Sequence, residues 1–452
     1  MKKLYVKTFG CQMNVHDSSR MVDILTQRGY GITDNIENCD IFLINTCHIR
    51  EKASEKIFSE LGKIKKLKQK KIDNGEYLVV IVAGCVAKAE GADIFRRMPI
   101  VDVVVAGESY HKIGDMVEEI LEQIGKEKKT YLIDIDTRTQ EKFASLPMAR
   151  NVKNISESVV IQDGCDKFCS YCVVPYTRGR EYSRPPDNVI EEIKFLVGKG
   201  VKEITLLGQN VDNYKGIDES GKISTLVDLI YRINDVNGIE RIRYMTSYPS
   251  QFSDDLIYAH RDLEKLMPFI HLPVQAGSNN ILKLMNRKYT REQYLELIDK
   301  IKKIIPNVAL SSDFIVGFAG ETEDDFLETI SLVERVKYAS SFSFKYSPRP
   351  NTVGIKMPNQ VPEDIKINRL DRLQAILEQQ QIDFNRNCVG KNTKVLIENP
   401  SEGSENLFFG RTSHQQAVMV KSKNHLNNGE IVTVNIENAN LRTLKASTVN
   451  SN

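Results

Sequence analysis

The sequence predicts a three-part α/β protein. An N-terminal parallel α/β sheet domain leads to a central partial (β/α)6 barrel and then to a small C-terminal all-β barrel of OB-like proportions. Three observations predict it. Apolar runs of strand length alternate with helix-length stretches over most of the 452 residues, which implies parallel sheets with helices on their faces. The alternation is interrupted once by a polar, charged stretch, as at a domain boundary. Beyond Lys391 it gives way to five short strands with polar turns, the proportions of a small barrel.

In the first part the strand runs are Leu4–Thr8, Ile41–Ile44, Tyr77–Val82 and Val101–Ala106, with helical stretches at Ser18–Arg28, Lys52–Lys71 and Ala89–Arg97. Parallel strands place their C-terminal ends along one edge. The segment Gly125–Asn154, with Lys126-Glu-Lys-Lys129, reads as a linker. The second part offers six strands: Val159–Gln162, Glu203–Leu207, Arg241–Thr246, Phe269–Pro273, Ala309–Val316 and Ser341–Tyr346. Helices at Asp187–Lys199, Thr225–Ile233, Arg291–Ile305 and Glu323–Val336 separate them, Asp187 serving as N-cap after Pro185-Pro186. Six such units make a partial barrel or a second open sheet, and both place functional residues at strand C-termini. The helix Pro362–Asn387 closes this part. The last strands are Lys394–Ile397, Leu407–Gly410, Ala417–Val420, Ile431–Asn435 and Leu441–Leu444. The expected domains are residues 1–120, a linker 121–150, residues 151–382 and residues 383–448.

A composition of 41% hydrophobic and 27% charged residues describes a globular chain, and the net charge of +2 advertises no global nucleic-acid field. No apolar run approaches a membrane span, and the first ten residues lack a signal-peptide core. A cytoplasmic protein without a membrane partner is expected. Eight cysteines in a reducing compartment mean metal or catalysis rather than disulfides.

Cys165, Cys169 and Cys172 lie in Gly164-Cys-Asp-Lys-Phe-Cys-Ser-Tyr-Cys172, directly after the run Val159-Val160-Ile161. Three thiolates can hold three irons of a [4Fe–4S] cube and leave the fourth open to a small molecule. A zinc site would ask for a second CxxC knuckle, and the chain has none. Tyr171 is placed either to pack on the bound ligand or in the core. Cys11, Cys47 and Cys85 are dispersed, yet each stands three residues beyond a strand end of the first sheet. Such positions converge on one edge, and three thiolates there again make a three-ligand cube with an open iron. Gly10 and Gly84, each just before its cysteine, permit tight turns. Cys39 and Cys388 have no such placement and read as structural or free thiols.

Other strand ends of the central part carry hydrogen-bonding residues: Gly208, Gln209 and Asn210 after the second, Ser247 after the third, His271 and Gln275 at the fourth, and Asp313 and Glu321 along the fifth. Their repetition suggests one pocket suited to a ribose, a carboxylate or an adenine edge. The basic block Lys63–Lys71 reads as a solvated helix face, with phosphate contact as the alternative. The C-terminal barrel carries Arg411, Lys421, Lys423, Arg442 and Lys445, with Phe408 and Phe409 near its centre, a composition that suits RNA.

At this point the chain resembles a known family. Cys165-x3-Cys169-x2-Cys172 at the mouth of a βα barrel is similar to the motif of radical S-adenosylmethionine (SAM) enzymes. With Cys11, Cys47, Cys85 and a C-terminal TRAM-like barrel, the whole chain resembles the methylthiotransferases among them. Gly10-Cys-Gln-Met-Asn14, Asn45-Thr-Cys-His-Ile-Arg-Glu-Lys-Ala53 and Tyr171-Cys-Val-Val-Pro-Tyr-Thr-Arg-Gly179 resemble the subgroup acting on isopentenyladenosine in tRNA. Ala319 stands where that family usually has Pro before Gly-Glu.

The resemblance implies two [4Fe–4S] clusters and SAM, used both as radical source and as methyl donor. The cluster at Cys165, Cys169 and Cys172 would chelate SAM and yield a 5′-deoxyadenosyl radical. That radical would take hydrogen from C2 of the adenine at tRNA position 37. The cluster at Cys11, Cys47 and Cys85 would carry the sulfur; a persulfide, a sulfide or an exchangeable ligand all fit its open iron. SAM would lie among Tyr171, Gly208, Gln209, Asn210, Ser247, His271, Gln275, Asp313 and Glu321, and RNA against Arg411, Lys421 and Arg442. The implied partners are a tRNA anticodon stem-loop, a sulfur source and a low-potential donor such as flavodoxin or ferredoxin, with the enzyme a monomer. Alternatives are the same chemistry on threonylcarbamoyladenosine tRNA or on a ribosomal protein side chain, and a non-catalytic Fe–S carrier or RNA-binding sensor.

Overall fold

The computed structural model describes residues 1–47, 51–124, 130–136, 138–400 and 406–449. His48–Arg50 of the second motif and Lys126–Lys129 lie outside the described residues.

The N-terminal sheet has six parallel strands, ordered Gly31–Ile32, Lys3–Phe9, Ile41–Thr46, Val79–Ala83, Val103–Val105 and Leu132–Asp134. The central strands Ile41–Thr46 and Val79–Ala83 are buried throughout, as β-branched runs covered on both faces must be. Phe9 pairs with Thr46 and Asn45 with Ala83, so three strand ends are level at one edge.

The segment read as a linker does structural work instead. Leu132–Asp134 adds the edge strand, and the helix Thr139–Ser145 buries Lys142 against Asp163 of the central part. Pro147 and Ala149 accept hydrogen bonds at their carbonyls from Arg20 and Gln27. The segment's polar residues are partners of buried charges on neighbouring elements, which a local composition does not reveal. The first helix is Gln12–Gln27, six residues longer at its start than expected, because Cys11 itself takes the extended N-cap position. Gly91, at φ +53°, splits the expected helix Ala89–Arg97 into Cys85–Glu90 and Asp93–Arg97.

The central domain is two three-stranded parallel halves. One is ordered Arg241–Tyr244, Glu203–Leu207, Ser156–Val160; the other Phe269–His271, Ala309–Val316, Ser340–Lys345. A parallel bridge, Ile242 to Leu266, links them. One apolar core runs through both halves, from Val159 through Ile204, Ile242, Ile270 and Phe314 to Leu373. Asp187 is not the N-cap expected. Pro185 holds that position, and the Asp187 carboxylate accepts from Arg232 at 2.6 Å.

The helix Glu363–Arg386 leads to a closed five-stranded barrel ordered Asn392–Pro400, Leu407–Thr412, Ala417–Lys421, Thr443–Thr448, Ile431–Ala439. This barrel docks on the N-terminal ends of the central strands. Arg241 donates to the carbonyls of Arg411 (2.8 Å) and Lys394 (3.2 Å). Arg243, fully buried, donates to those of Ser413 (2.8 Å) and Thr412 (3.0 Å). Glu203 offsets both charges at 3.8 and 3.1 Å. The small barrel therefore sits at the end of the central domain opposite the strand C-termini.

Candidate active site

The strand ends of the N-terminal sheet gather Cys11, Cys47 and Cys85. Cys47 follows Thr46 directly and is buried; Cys85 opens the helix Cys85–Glu90 and is buried; Cys11 is exposed at the N-cap of Gln12–Gln27. The three thiols are joined by hydrogen bonds through Cys47. These lower the Cys11 thiol to about 6 and lower Cys85, while Cys47, the shared partner, is pushed up. The floor beneath them is an asparagine pair. Asn14 donates to Asn45 Oδ1 at 3.1 Å, and Asn45 donates to the Asn14 carbonyl (2.8 Å) and to Ser18 Oγ (3.0 Å). Cys11 Sγ lies 3.3 Å from Asn14 Oδ1. Gly84, at φ +90°, has no room for a side chain: a Cβ would lie 2.1 Å from Asn45 Oδ1. Among the described residues no three donors close on a single ion. A cube asks for something else, since each thiolate binds its own iron around a shared space. The donor set fits it: soft sulfurs, one side open at Cys11, and a guanidinium beside them.

That guanidinium is Arg178, at the C-cap of the short helix Val174–Thr177 that follows Cys172. It donates to Asp17 Oδ2 at 2.6 Å and lies 3.5 Å from Asp163 Oδ1, with Cys85 as a further side-chain partner. Asp163, just before the Cys165 loop, is also the partner of Lys142. Two cations and two carboxylates, all buried, thus tie the two cysteine sites together. A second, largely buried set binds the same helix to the barrel through Asp23, which pairs with Arg20 (3.0 Å) and lies 3.8 Å from Arg150; Arg150 pairs in turn with Glu157 (3.1 Å) and Glu192 (3.3 Å), and Arg184 with Glu192 (2.8 Å).

Cys165, Cys169 and Cys172 follow the strand pair Gln162–Asp163 in a loop closed by Cys165 N to Gly179 O (3.2 Å) and Cys172 N to Cys169 O (2.9 Å). Burial pushes the Cys165 thiol up to about 11 and Cys172 up to about 12, and the neighbouring cysteines add to this. Three soft sulfurs on one loop are the donor set an iron–sulfur cube takes, and binding it would release their protons.

Three family models match the chain: the radical SAM superfamily over residues 159–333, uncharacterized protein family UPF0004 over 3–106, and the TRAM domain over 386–449. The chain is 47% identical over 444 residues to a protein of Rickettsia bellii (strain RML369-C), covering 98% of each. It is 48% identical over 439 residues to one of Rickettsia felis, covering 97% of each. Both are named tRNA-2-methylthio-N(6)-dimethylallyladenosine synthase. The chain belongs to the tRNA-2-methylthio-N(6)-dimethylallyladenosine synthase family. Its fold is shared more widely. The radical SAM methyltransferase TsrM of Kitasatospora setae superposes with a TM-score of 0.54 at 12% identity, over 79% of this chain and 76% of that one. The cobalamin-dependent radical enzyme OxsB gives 0.52 at 12%, over 83% and 56%.

The other residues expected in this synthase-family site divide into two groups. Gln209 Oε1, Asn210 Oδ1 and Ser247 Oγ are buried with no hydrogen-bond partner among the described residues, and such orphaned atoms await a ligand or water. Gly208 packs under Gln162, whose Oε1 accepts from Asn210 N at 2.9 Å. Gln275 holds φ +76° and bridges to Phe314. Tyr171 Oη accepts from Arg287 at 3.4 Å. The rest are engaged with protein. His271 contacts Ser311 Oγ (3.0 Å) and Asp313 (3.5 Å). Glu321 accepts from Gly317 N and Arg369, both at 2.8 Å, which anchors the helix Glu363–Arg386; burial pushes its carboxyl up to about 7.

On the small barrel, Arg411 pairs with Glu398 at 3.3 Å, while Lys421 and Arg442 are exposed. Within the basic block, Lys63, Lys65, Lys66 and Lys70 are exposed, whereas Lys68 and Lys71 are buried on Asp102 and Glu76. Burial pushes the Cys39 thiol up to about 11, and Cys388 contacts the Phe384 carbonyl at 3.6 Å. Arg178, Asp17, Asp163, Lys142 and Arg287 were not singled out by sequence reasoning. Arg178 at least lies inside the motif that ends at Gly179.

Proposed function

We propose that the chain installs a methylthio group on C2 of N6-isopentenyladenosine at position 37 of tRNA, giving 2-methylthio-N6-isopentenyladenosine. Cys165, Cys169 and Cys172 would hold one [4Fe–4S] cluster beside SAM, and Cys11, Cys47 and Cys85 would hold the other. Together these groups supply radical hydrogen abstraction, the sulfur and the methyl group. The chain supplies position and exclusion of water. Arg178 holds the two sites in register through Asp17 and Asp163. Asn14 and Asn45 set the backbone under the N-terminal thiols. Gln209, Asn210 and Ser247 offer free acceptors and a hydroxyl to SAM, with Tyr171, Gly208, His271, Gln275, Asp313 and Glu321 shaping the same mouth.

The observation that carries this reading is the pairing of two three-cysteine strand-end sites across one buried charge cluster. The partners that follow are the anticodon stem-loop of tRNA, a sulfur source and a low-potential donor such as flavodoxin or ferredoxin, with the enzyme working as a cytoplasmic monomer. Lys421, Arg442 and Arg411 present the RNA face of the small barrel. Mass spectrometry of tRNA nucleosides from a deletion strain tests it. Loss of the 2-methylthio nucleoside with accumulation of N6-isopentenyladenosine is expected; its retention would overturn the substrate assignment.

A further inference from the structure

Arg287 lies in the turn after the short helix Asn279–Leu284 and is 8% exposed. Nε donates to Tyr289 Oη at 2.7 Å and Nη2 to the Pro273 carbonyl at 2.8 Å. Nη1 points at Cys169 Sγ, 3.5 Å away, and at Tyr171 Oη, 3.4 Å away. The guanidinium carbon stands 4.2 Å from the Tyr248 ring centroid and 5.0 Å from that of Tyr289. Tyr289 is itself fixed, donating to the Val274 carbonyl at 2.8 Å. Among the described residues no carboxylate contacts this arginine; apart from Cys169 its partners are neutral dipoles and rings.

A buried cation without a counter-anion is costly. Cation–π contacts and carbonyls offset part of that cost, and the remaining partner is a sulfur expected to bind iron. A cube held by three thiolates is anionic, and it becomes more so when it takes up an electron. Arg287 therefore stands where negative charge would reside and increase. Hydrogen bonds to cluster sulfurs and nearby charge are among the levers that set cluster potentials.

We propose that Arg287 is a positioning residue for the Cys165–Cys169–Cys172 cluster: its N–H fixes the Cys169 sulfur, and its charge favours the reduced cluster, raising the reduction potential. This rests on the reading of that loop as a cluster site. Arg287 differs from Arg178, whose charge is already matched by Asp17 and Asp163. Arg287 has no such match, so its charge acts on the sulfur.

The test is an EPR-monitored redox titration of the anaerobically reconstituted full chain, compared with Arg287→Lys and Arg287→Met. The cluster in question is marked by the signal that changes on adding SAM, and the other cluster is the internal control. A more negative midpoint in Arg287→Met, a smaller shift in Arg287→Lys and an unmoved control are expected. An unchanged midpoint in a fully iron-loaded Arg287→Met would overturn the proposal. So would loss of the cluster from both folded variants, which would make the role structural. If the unmodified protein forms no SAM-responsive cluster, the reading of the loop fails and this inference with it.

Discussion

Arg178, six residues beyond Cys172, donates to the carboxylate of Asp17, six residues beyond Cys11, at 2.6 Å. The bond crosses from the central barrel to the N-terminal domain and is buried at both ends. Breaking a buried pair costs up to about 3–5 kcal/mol, and less for the loss of Asp17, since Asp163 still faces Arg178 at 3.5 Å. Arg178→Met and Asp17→Asn should each lower the urea midpoint and cut methylthio product more than tenfold while SAM cleavage persists. A double variant no worse than either single would confirm the coupling. Equal loss of cleavage and product in Arg178→Met would argue against a role in register.

Gly84 makes the third strand end possible. At φ +90° with Asn45 Oδ1 at 2.1 Å from a would-be Cβ, Gly84→Ala meets both backbone strain and a clash. The strain alone is about 1–3 kcal/mol. Iron content should fall by about half, since one cube of two is lost, and the Cys165 loop should keep its cluster. Full iron loading in Gly84→Ala would contradict the packing described.

His260 predicts a pH dependence. Burial lowers its pKa to about 3, and its Nε2 lies 2.7 Å from Tyr244 Oη. Below the unfolded value of about 6.5, the unfolded chain takes up a proton that the folded one refuses. Stability therefore falls as pH drops below about 6.5, by roughly 1.4 kcal/mol per pH unit for one proton. His260→Gln should lessen the fall of the urea midpoint between pH 6.5 and 5, the rest coming from other buried histidines such as His16. An identical slope in the variant would count against a neutral buried imidazole.

The small barrel docks through Arg241 and Arg243 at the end opposite the cysteines, which leaves Lys421 and Arg442 exposed. Each phosphate contact contributes about one unit to the slope of log affinity against log salt. Lys421→Ala and Arg442→Ala should each weaken tRNA binding and reduce that slope by about one. Filter binding across a salt series with unchanged slopes would move the RNA face elsewhere.

The placement of Cys11, Cys47, Cys85 and the Cys165 loop beyond strand ends was legible because each follows an apolar run, and a run's end places the next residues at a sheet edge. Their partners were not. Arg287 lies 118 positions from Cys169, and nothing local marks it as pointing at a sulfur. Arg241 and Arg243 look like the polar residues of a strand, yet they grip carbonyls of another domain. Tyr131-Leu-Ile133 is too short a run beside a charged stretch to announce an edge strand, and the neighbour that pairs with it, Val103–Val105, decides the matter. His271 stands at its strand end as expected, whereas Glu321 lies five residues beyond Val316, just before the helix Glu323–Val336; tertiary partners take up the contacts of both that a ligand would otherwise make.

In the proposed division of labour one cysteine site makes the radical and the other delivers sulfur. The most direct measurement supplies reconstituted enzyme with isopentenylated tRNA, SAM and a low-potential reductant, then quantifies deoxyadenosine and tRNA nucleosides by mass spectrometry. The unmodified chain should form both deoxyadenosine and the 2-methylthio nucleoside. Cys11→Ala should form deoxyadenosine alone, and Cys165→Ala neither. Methylthio product from Cys11→Ala would contradict the division of labour between the two sites.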